Sequence, residues 1–128
     1  MSFTKPGLTE IKKLPEFDER PWGRYTVLEE RPGFKVKVLE VEPGARLSLQ
    51  RHARREEHWV VVQGVADVVC GDQTLQLHQG EHVHIPPGSK HRLGNSGQAL
   101  LAIIEVQLGD YLGEDDIVRL EDDYQRLG

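Results

Sequence analysis

Pro-Gly pairs recur at 6–7, 32–33, 43–44 and 87–88, with Gly-Asp at 71–72, and only short runs rich in Val, Leu and Ile lie between these turn signals. The runs cover 34–41, 46–52, 59–62, 65–70, 75–77, 82–85 and 100–106. Pieces this short, bounded by turn formers at spacings of roughly 8–12 residues, predict an all-β sandwich or barrel. No window in the middle of the chain carries the apolar period of an amphipathic helix. The tail differs: Ile117, Leu120 and Tyr124 recur at i, i+3 and i+7, which predicts a short C-terminal helix within 113–128.

The chain has 128 residues, a formal net charge of −5 and a pI of about 5.7. The length suits one domain with one modest core: an arm over 1–19, a barrel over 20–112 and the tail over 113–128. The acidic balance argues against a nucleic-acid partner, which would meet a basic face. No apolar run is long enough to span a bilayer, so no membrane partner is expected. The first residues lack the apolar core of a secretory signal, and the single cysteine, Cys70, excludes an internal disulfide. A cytoplasmic protein is the expectation.

The strand period assigns faces. Along 46–52, Arg46, Ser48, Gln50 and His52 share one face, and Leu47 and Leu49 take the other. Glu57 shares its face with Trp59 and Val61. The spacing then runs Gly44, Gln50, His52, Glu57, Gly64, and downstream Gly80, Pro86, Gly88, His91, Asn95. These blocks resemble the paired motifs of the cupin superfamily, G-x5-H-x-H-x3,4-E-x6-G and G-x5-P-x-G-x2-H-x3-N. Every fixed position matches except the first His, which is Gln50 here. The resemblance implies a small double-stranded β-helix, or jelly-roll barrel. It also implies one divalent metal held by Gln50, His52, Glu57 and His91. Imidazole and carboxylate suit zinc, which is the expected ion, and also cobalt, manganese, iron or nickel. The competing reading is a metal-free cupin whose pocket residues only hydrogen-bond.

A closer resemblance rests on further blocks: RPWG at 20–23, LSLQRH at 47–52, REEHWVVV at 55–62, IP at 85–86, HRL at 91–93, IEVQ at 104–107 and GDYLGEDDI at 109–117. Together they look like the cupin domain of type II mannose-6-phosphate isomerases, over about residues 20–126. In that family the cupin usually follows a mannose-1-phosphate guanylyltransferase domain, so the chain resembles a stand-alone isomerase module, with a separate guanylyltransferase chain as an expected partner. The Gln50 exception resembles the Gln, His, Glu, His zinc set of type I phosphomannose isomerases. Two departures stand out. Ala53 and Arg54 replace a second and third His that many members carry, and His84 stands where the family often has Tyr.

The implied reaction interconverts mannose 6-phosphate and fructose 6-phosphate, moving a proton between C1 and C2 through an enediolate with metal assistance. Glu57 is committed to the metal, so His84 and Lys90 are the candidates for the proton transfer, beside Arg55. Arg46 and Ser48, sharing the ligand face, and Arg55 are the candidates for binding the sugar phosphate. The blander reading makes His84, like His78 and His82, an ordinary strand or surface residue, and makes Arg54 part of a solvated loop. Two other functions compete: a non-catalytic sugar-phosphate-binding module serving a nucleotidyltransferase, and another cupin enzyme such as an oxygenase. A homodimer is expected through an apolar face offered by Phe34, Val36, Val38 and Leu39.

Overall fold

The computed structural model describes residues 14–125. Eleven strands follow one another: β1 (Glu16–Arg20), β2 (Gly23–Arg31), β3 (Phe34–Val41), β4 (Leu49–Arg51), β5 (Arg55–Gln63), β6 (Ala66–Cys70), β7 (Gln73–Leu77), β8 (His82–Ile85), β9 (His91–Gly94), β10 (Leu101–Gly109) and β11 (Val118–Glu121). They form a six-stranded sheet, β1-β2-β3-β10-β5-β8, and a five-stranded sheet, β11-β4-β9-β6-β7. The long jumps in strand order are those of a jelly roll, in which the inner faces of both sheets close around one core.

The seven expected runs all coincide with, or overlap, strands β3 to β8 and β10. Two expected boundaries move. The N-terminal arm is already sheet at Glu16, because β1 pairs along its whole length with β2. Barrel structure also continues past 112, through β11.

The expected C-terminal helix is corrected: the described residues contain no helix, and Val118–Glu121 is a strand paired with β4. Three apolar residues at helical spacing are a weak local preference. The bare edge of β4 supplies backbone donors and acceptors that a strand satisfies and a helix would not. Tyr124 still packs against the core, from a turn.

The inner face changes character along three neighbouring strands in register. Val41 and Leu39 on β3, Leu101 and Ile103 on β10, and Val61 on β5 fill one end of the barrel, each 4% exposed or less. Farther along the same strands the inward residues are Lys37 and Lys35, Glu105 and Gln107, and Glu57 and Arg55, all still buried. One end is therefore a dry hydrocarbon core and the other a buried polar chamber. Charges held there require partners in place, because an isolated ion in such surroundings is strongly penalised.

Leu39 belongs to the dry end at 4% exposure and is withdrawn from the expected dimer surface. Phe34, Val36 and Val38 alternate with it and lie on the outer face of the large sheet.

Candidate metal centre and its pocket

The two motif blocks meet through backbone hydrogen bonds. Gln50 on β4 lies directly opposite His91 on β9. The Gly88 N–H donates to the carbonyl of His52 at 2.7 Å, which ties the Pro-Pro-Gly turn of the second block to the ligand segment of the first. Gly88 has φ +80°, a conformation that favours glycine. Gly64 is constrained twice: its φ is +83°, and a Cβ there would lie 2.8 Å from the Leu100 carbonyl oxygen. The last motif residue, Asn95, is structural. Its amide nitrogen donates to the carbonyls of Val41 and Ala99, and its oxygen accepts from the Gly97 N–H, which satisfies a buried side chain.

Three side chains able to ligate a metal, His52, Glu57 and His91, converge in the polar chamber. His52 Nδ1 donates to the Asp116 carbonyl at 2.6 Å, and His91 Nδ1 donates to the Ser89 carbonyl at 3.0 Å. A carbonyl can only accept, so both rings carry their proton on Nδ1 and turn an Nε2 lone pair inward. His52 Nε2 lies 3.2 Å from Glu57 Oε2, and His91 Nε2 lies 4.0 Å from Glu57 Oε1. Burial keeps both rings neutral. It lowers the pKa of His52 to about 4, helped by the nearby Arg55 cation, and pushes that of His91 below the ordinary value.

Two imidazole lone pairs facing a carboxylate repel unless a cation sits among them. The Arg55 guanidinium supplies one: Nε donates to Glu57 Oε2 at 2.9 Å and Nη2 donates to His52 Nε2 at 3.1 Å. The set also fits a divalent ion. The donor atoms of His52, Glu57 and His91 all lie within 4.8 Å of one another, and each imidazole has the outer hydrogen bond that orients metal-binding His side chains. Gln50 lines the same pocket, and among the described residues its side chain makes one long contact, of 3.5 Å, to the Ser48 carbonyl.

Behind Glu57 stands a second carboxylate that the sequence left unassigned. Trp59 Nε1 donates to Glu57 Oε1 at 2.9 Å and to Glu105 Oε2 at 3.2 Å, and Gln107 donates to Glu105 Oε1 at 2.6 Å. Burial, then the Glu57 charge, raise the Glu105 pKa from 4.5 to about 7. A raised acid contributes stability that is complete below its unfolded pKa of 4.5 and is lost as pH rises through about 7. In the metal-free chain Glu105→Gln, uncharged at every pH, is therefore expected to be near neutral at about pH 5 and to stabilise by up to about 3 kcal/mol at about pH 8. Denaturant midpoints at the two pH values measure this, and an equal difference at both would contradict it.

The other expected site residues divide. Ser48 and Arg55 line the pocket, and both are buried. Arg46 does not line it: it is exposed on the outside, where Nε and Nη2 donate to the Asp123 carboxylate at 2.7 and 2.9 Å. The reason is backbone. Regular strand begins only at Leu49, and Arg46 makes one isolated bridge to Gly94, so the alternation that carries Ser48 inward does not extend to it. His84 and Lys90 are exposed and lie outside the pocket, which removes both as groups able to touch substrate there. Arg54 is a surface residue, paired with Asp110 and resting on the Tyr111 ring.

Two residues were missed because the tail was read as helix. Arg119 on β11 lies opposite Gln50 and lines the pocket, with a buried Nε that has no hydrogen-bond partner among the described residues. Asp116 accepts from the Ala53 and Arg54 N–H groups at 3.0 and 2.9 Å while its carbonyl orients His52. The GDYLGEDDI block thus has a physical account. Glu114 pairs with Lys37 at 2.5 Å, Asp116 fixes the ligand loop, and Ile117 closes the pocket wall.

A double-stranded β-helix with this His–Glu–His set inside its barrel is a cupin, and the described chain is one. The chain belongs to the family described as Mannose-6-phosphate isomerase C-terminal, whose family model matches residues 10–122. Over 107 residues it is 55% identical to the alginate biosynthesis protein AlgA of Pseudomonas aeruginosa, covering 84% of this chain and 22% of that protein. It is 53% identical to the xanthan biosynthesis protein XanB of Xanthomonas campestris pv. campestris, covering 84% of this chain and 23% of XanB. It is 47% identical to a mannose-1-phosphate guanylyltransferase of Sinorhizobium fredii, covering 81% and 20%. The chain thus spans about a fifth of the length of these relatives. Among solved structures, the capsular polysaccharide assembling protein CapF of Staphylococcus aureus matches with a TM-score of 0.73 at 21% identity, over 86% of this chain and 33% of CapF. Lactobacillus farciminis oxalate decarboxylase matches with a TM-score of 0.72 at 22% identity, over 83% and 33%. At those identities the likeness concerns the fold alone.

Proposed function

We propose that this domain is an aldose–ketose isomerase that interconverts mannose 6-phosphate and fructose 6-phosphate, with one divalent ion, zinc by preference, held by Gln50, His52, Glu57 and His91. The observation that carries the reading is the pairing, in one pocket, of three inward lone-pair donors with two guanidinium groups whose buried Arg55 Nη1 and Arg119 Nε have no hydrogen-bond partner among the described residues. The first set suits a cation and the second suits an anion such as a phosphate. Family membership supplies the substrate class.

A bound divalent ion would act as a Lewis acid and offset negative charge that develops on the sugar oxygens during proton transfer. The chain's own residues do the rest. Asp116 and Ser89 hold His52 and His91 in the tautomer that presents Nε2. Arg55 neutralises Glu57 and keeps one N–H free for a substrate oxygen. Arg119 takes over the phosphate role expected of Arg46, from the strand that pairs with Gln50. Leu47, Leu93 and Ile117 supply apolar wall that limits water in the pocket.

Incubating the chain with mannose 6-phosphate and excess Zn²⁺ or Co²⁺, and measuring fructose 6-phosphate, tests the reading. Turnover above buffer supports it, and Arg119→Ala is then expected to raise KM several-fold with kcat little changed, as loss of uniform phosphate binding requires. Absence of turnover in metal-loaded protein, with mannose 6-phosphate still binding in calorimetry, would favour instead a sugar-phosphate-binding module serving a nucleotidyltransferase. Ala53 and Arg54, in place of two imidazoles, motivate that second reading.

A homodimer would use the outer face of the large sheet. There Val36 and Val38 of β3 lie beside Val106 and Ile104 of β10, with Val60 of β5 next in row. Light scattering that reports twice 14.5 kDa supports it, and the monomer mass at high concentration contradicts it.

A further inference from the structure

On the outer face of the same sheet, away from the pocket, β5 and β8 bring two more imidazoles together. His58 and His84 are directly opposite each other, with ring centroids 4.5 Å apart and planes inclined by 18°. Glu56, two residues before His58, projects from the same face. His84 Nε2 lies 2.9 Å from Glu56 Oε2, and His58 Nε2 lies 3.7 Å from Glu56 Oε1. Both rings thus turn the same nitrogen toward one carboxylate. The hydrogen bond from His84 also holds the Glu56 carboxyl below its ordinary pKa.

We infer that Glu56, His58 and His84 form a second, surface metal site that takes a first-row divalent cation. The donor atoms lie within 4.8 Å of one another. Three points that close fit within about 2.8 Å of a common centre, so each donor needs to move in by no more than about 0.8 Å to reach the roughly 2.0–2.2 Å of zinc ligation. The side chains are free to make that adjustment, being 33%, 44% and 48% exposed for Glu56, His58 and His84. The backbone needs no change, because a directly opposed cross-strand pair already sets the two Cβ atoms about 5 Å apart. Two imidazoles and a carboxylate select Zn²⁺, Co²⁺, Ni²⁺ or Cu²⁺ over Mg²⁺ or Ca²⁺. Three protein ligands leave positions for water or for a donor from another molecule.

The stretch Glu56-Glu57-His58 therefore serves two sites. Glu57 faces the barrel at 2% exposure, while Glu56 and His58 face outward. The two carboxylates, adjacent in sequence, are separated by the sheet itself. The surface site also gives His84 a role that its exclusion from the pocket left vacant.

Zn²⁺ titrated into ¹⁵N-labelled full chain, already loaded with metal at the inner site, tests the inference by NMR of the His ring nitrogens. His58 and His84 signals are expected to shift together on one saturating curve, with His78 as an unresponsive reference. His84→Asn should abolish the His58 response and weaken this binding by more than the roughly 10–100-fold that loss of an outer-sphere partner costs. Glu56→Gln should weaken it while both rings remain. His58 and His84 signals that stay fixed up to millimolar Zn²⁺, or a His84→Asn chain that binds as the parent does, would overturn the site. The readout is independent of isomerase turnover, so it stands or falls apart from the function proposed for the pocket.

Discussion

Replacing His52 and His91 together by alanine is expected to remove most of the divalent ion that the chain retains through gel filtration. The ion is lost because the site depends on lone pairs that only these two rings present. Their Nδ1 protons are engaged by the Asp116 and Ser89 carbonyls, so no other tautomer competes. What remains is Glu57 with a neutral amide from Gln50, a poor set for zinc. Isomerase turnover, where the parent has it, should fall with the ion and should not return on adding zinc. Gln50→Ala should be milder, since it removes only the weakest donor. Elemental analysis that finds the parent's metal content in the double variant would sink the assignment. The exposed Glu56, His58 and His84 do not confuse the measurement, because an ion on three half-exposed side chains exchanges during filtration whereas a buried one does not.

Arg55→Met in the metal-free chain is expected to cost about 3–5 kcal/mol, the penalty of leaving one member of a buried ion pair uncompensated. The Glu57 carboxylate is 2% exposed, and Arg55 is the cation in contact with it, at 2.9 Å. Glu105 shares the Trp59 N–H with it and adds like charge rather than relief. Saturating zinc should shrink the loss, because a divalent ion takes over the neutralisation of Glu57. Adding Glu57→Gln should recover part of it by removing the buried charge, a coupling that a double-mutant cycle measures. Urea unfolding of the four chains with and without zinc decides the matter. A loss below about 1 kcal/mol for Arg55→Met without metal would mean that water, not protein, solvates Glu57.

Much of the site was legible because a strand's period is local. Glu57, Trp59 and Val61 were expected on one face and are all buried on it, at 2%, 2% and 1% exposure. Gln50, His52, Glu57 and His91 could be named in advance because the intervals between them and the motif glycines resemble the paired cupin motifs. The same rule failed at Arg46. Counting by twos assumes an unbroken strand, and the chain between Arg46 and Leu49 is not one. His84 shows a different limit. Its face could be defined by alternation with Val83 and Ile85, but alternation does not say which face is inside; pairing with His58 does.

The sequence by itself determined the fold class, the metal-ligand set to be tested and the family. The fold class rests on short runs between turns, and the ligand set and family rest on the resemblance of the motif intervals and of blocks such as GDYLGEDDI to a known family. Tertiary structure alone decided what lies across from what. It made the tail a strand, because the open edge of β4 offers hydrogen bonds that outweigh a weak helical period. It thereby placed Arg119, and not Arg46, on the pocket wall, and gave Asp116 the carbonyl that orients His52, 64 residues away along the chain. It also separated Glu56 from Glu57, sending one to solvent and the other to the barrel. The physical reason is common to all of these: propensity and period act over a few residues, whereas the partner that satisfies a buried charge or an edge strand is found only once distant segments pack.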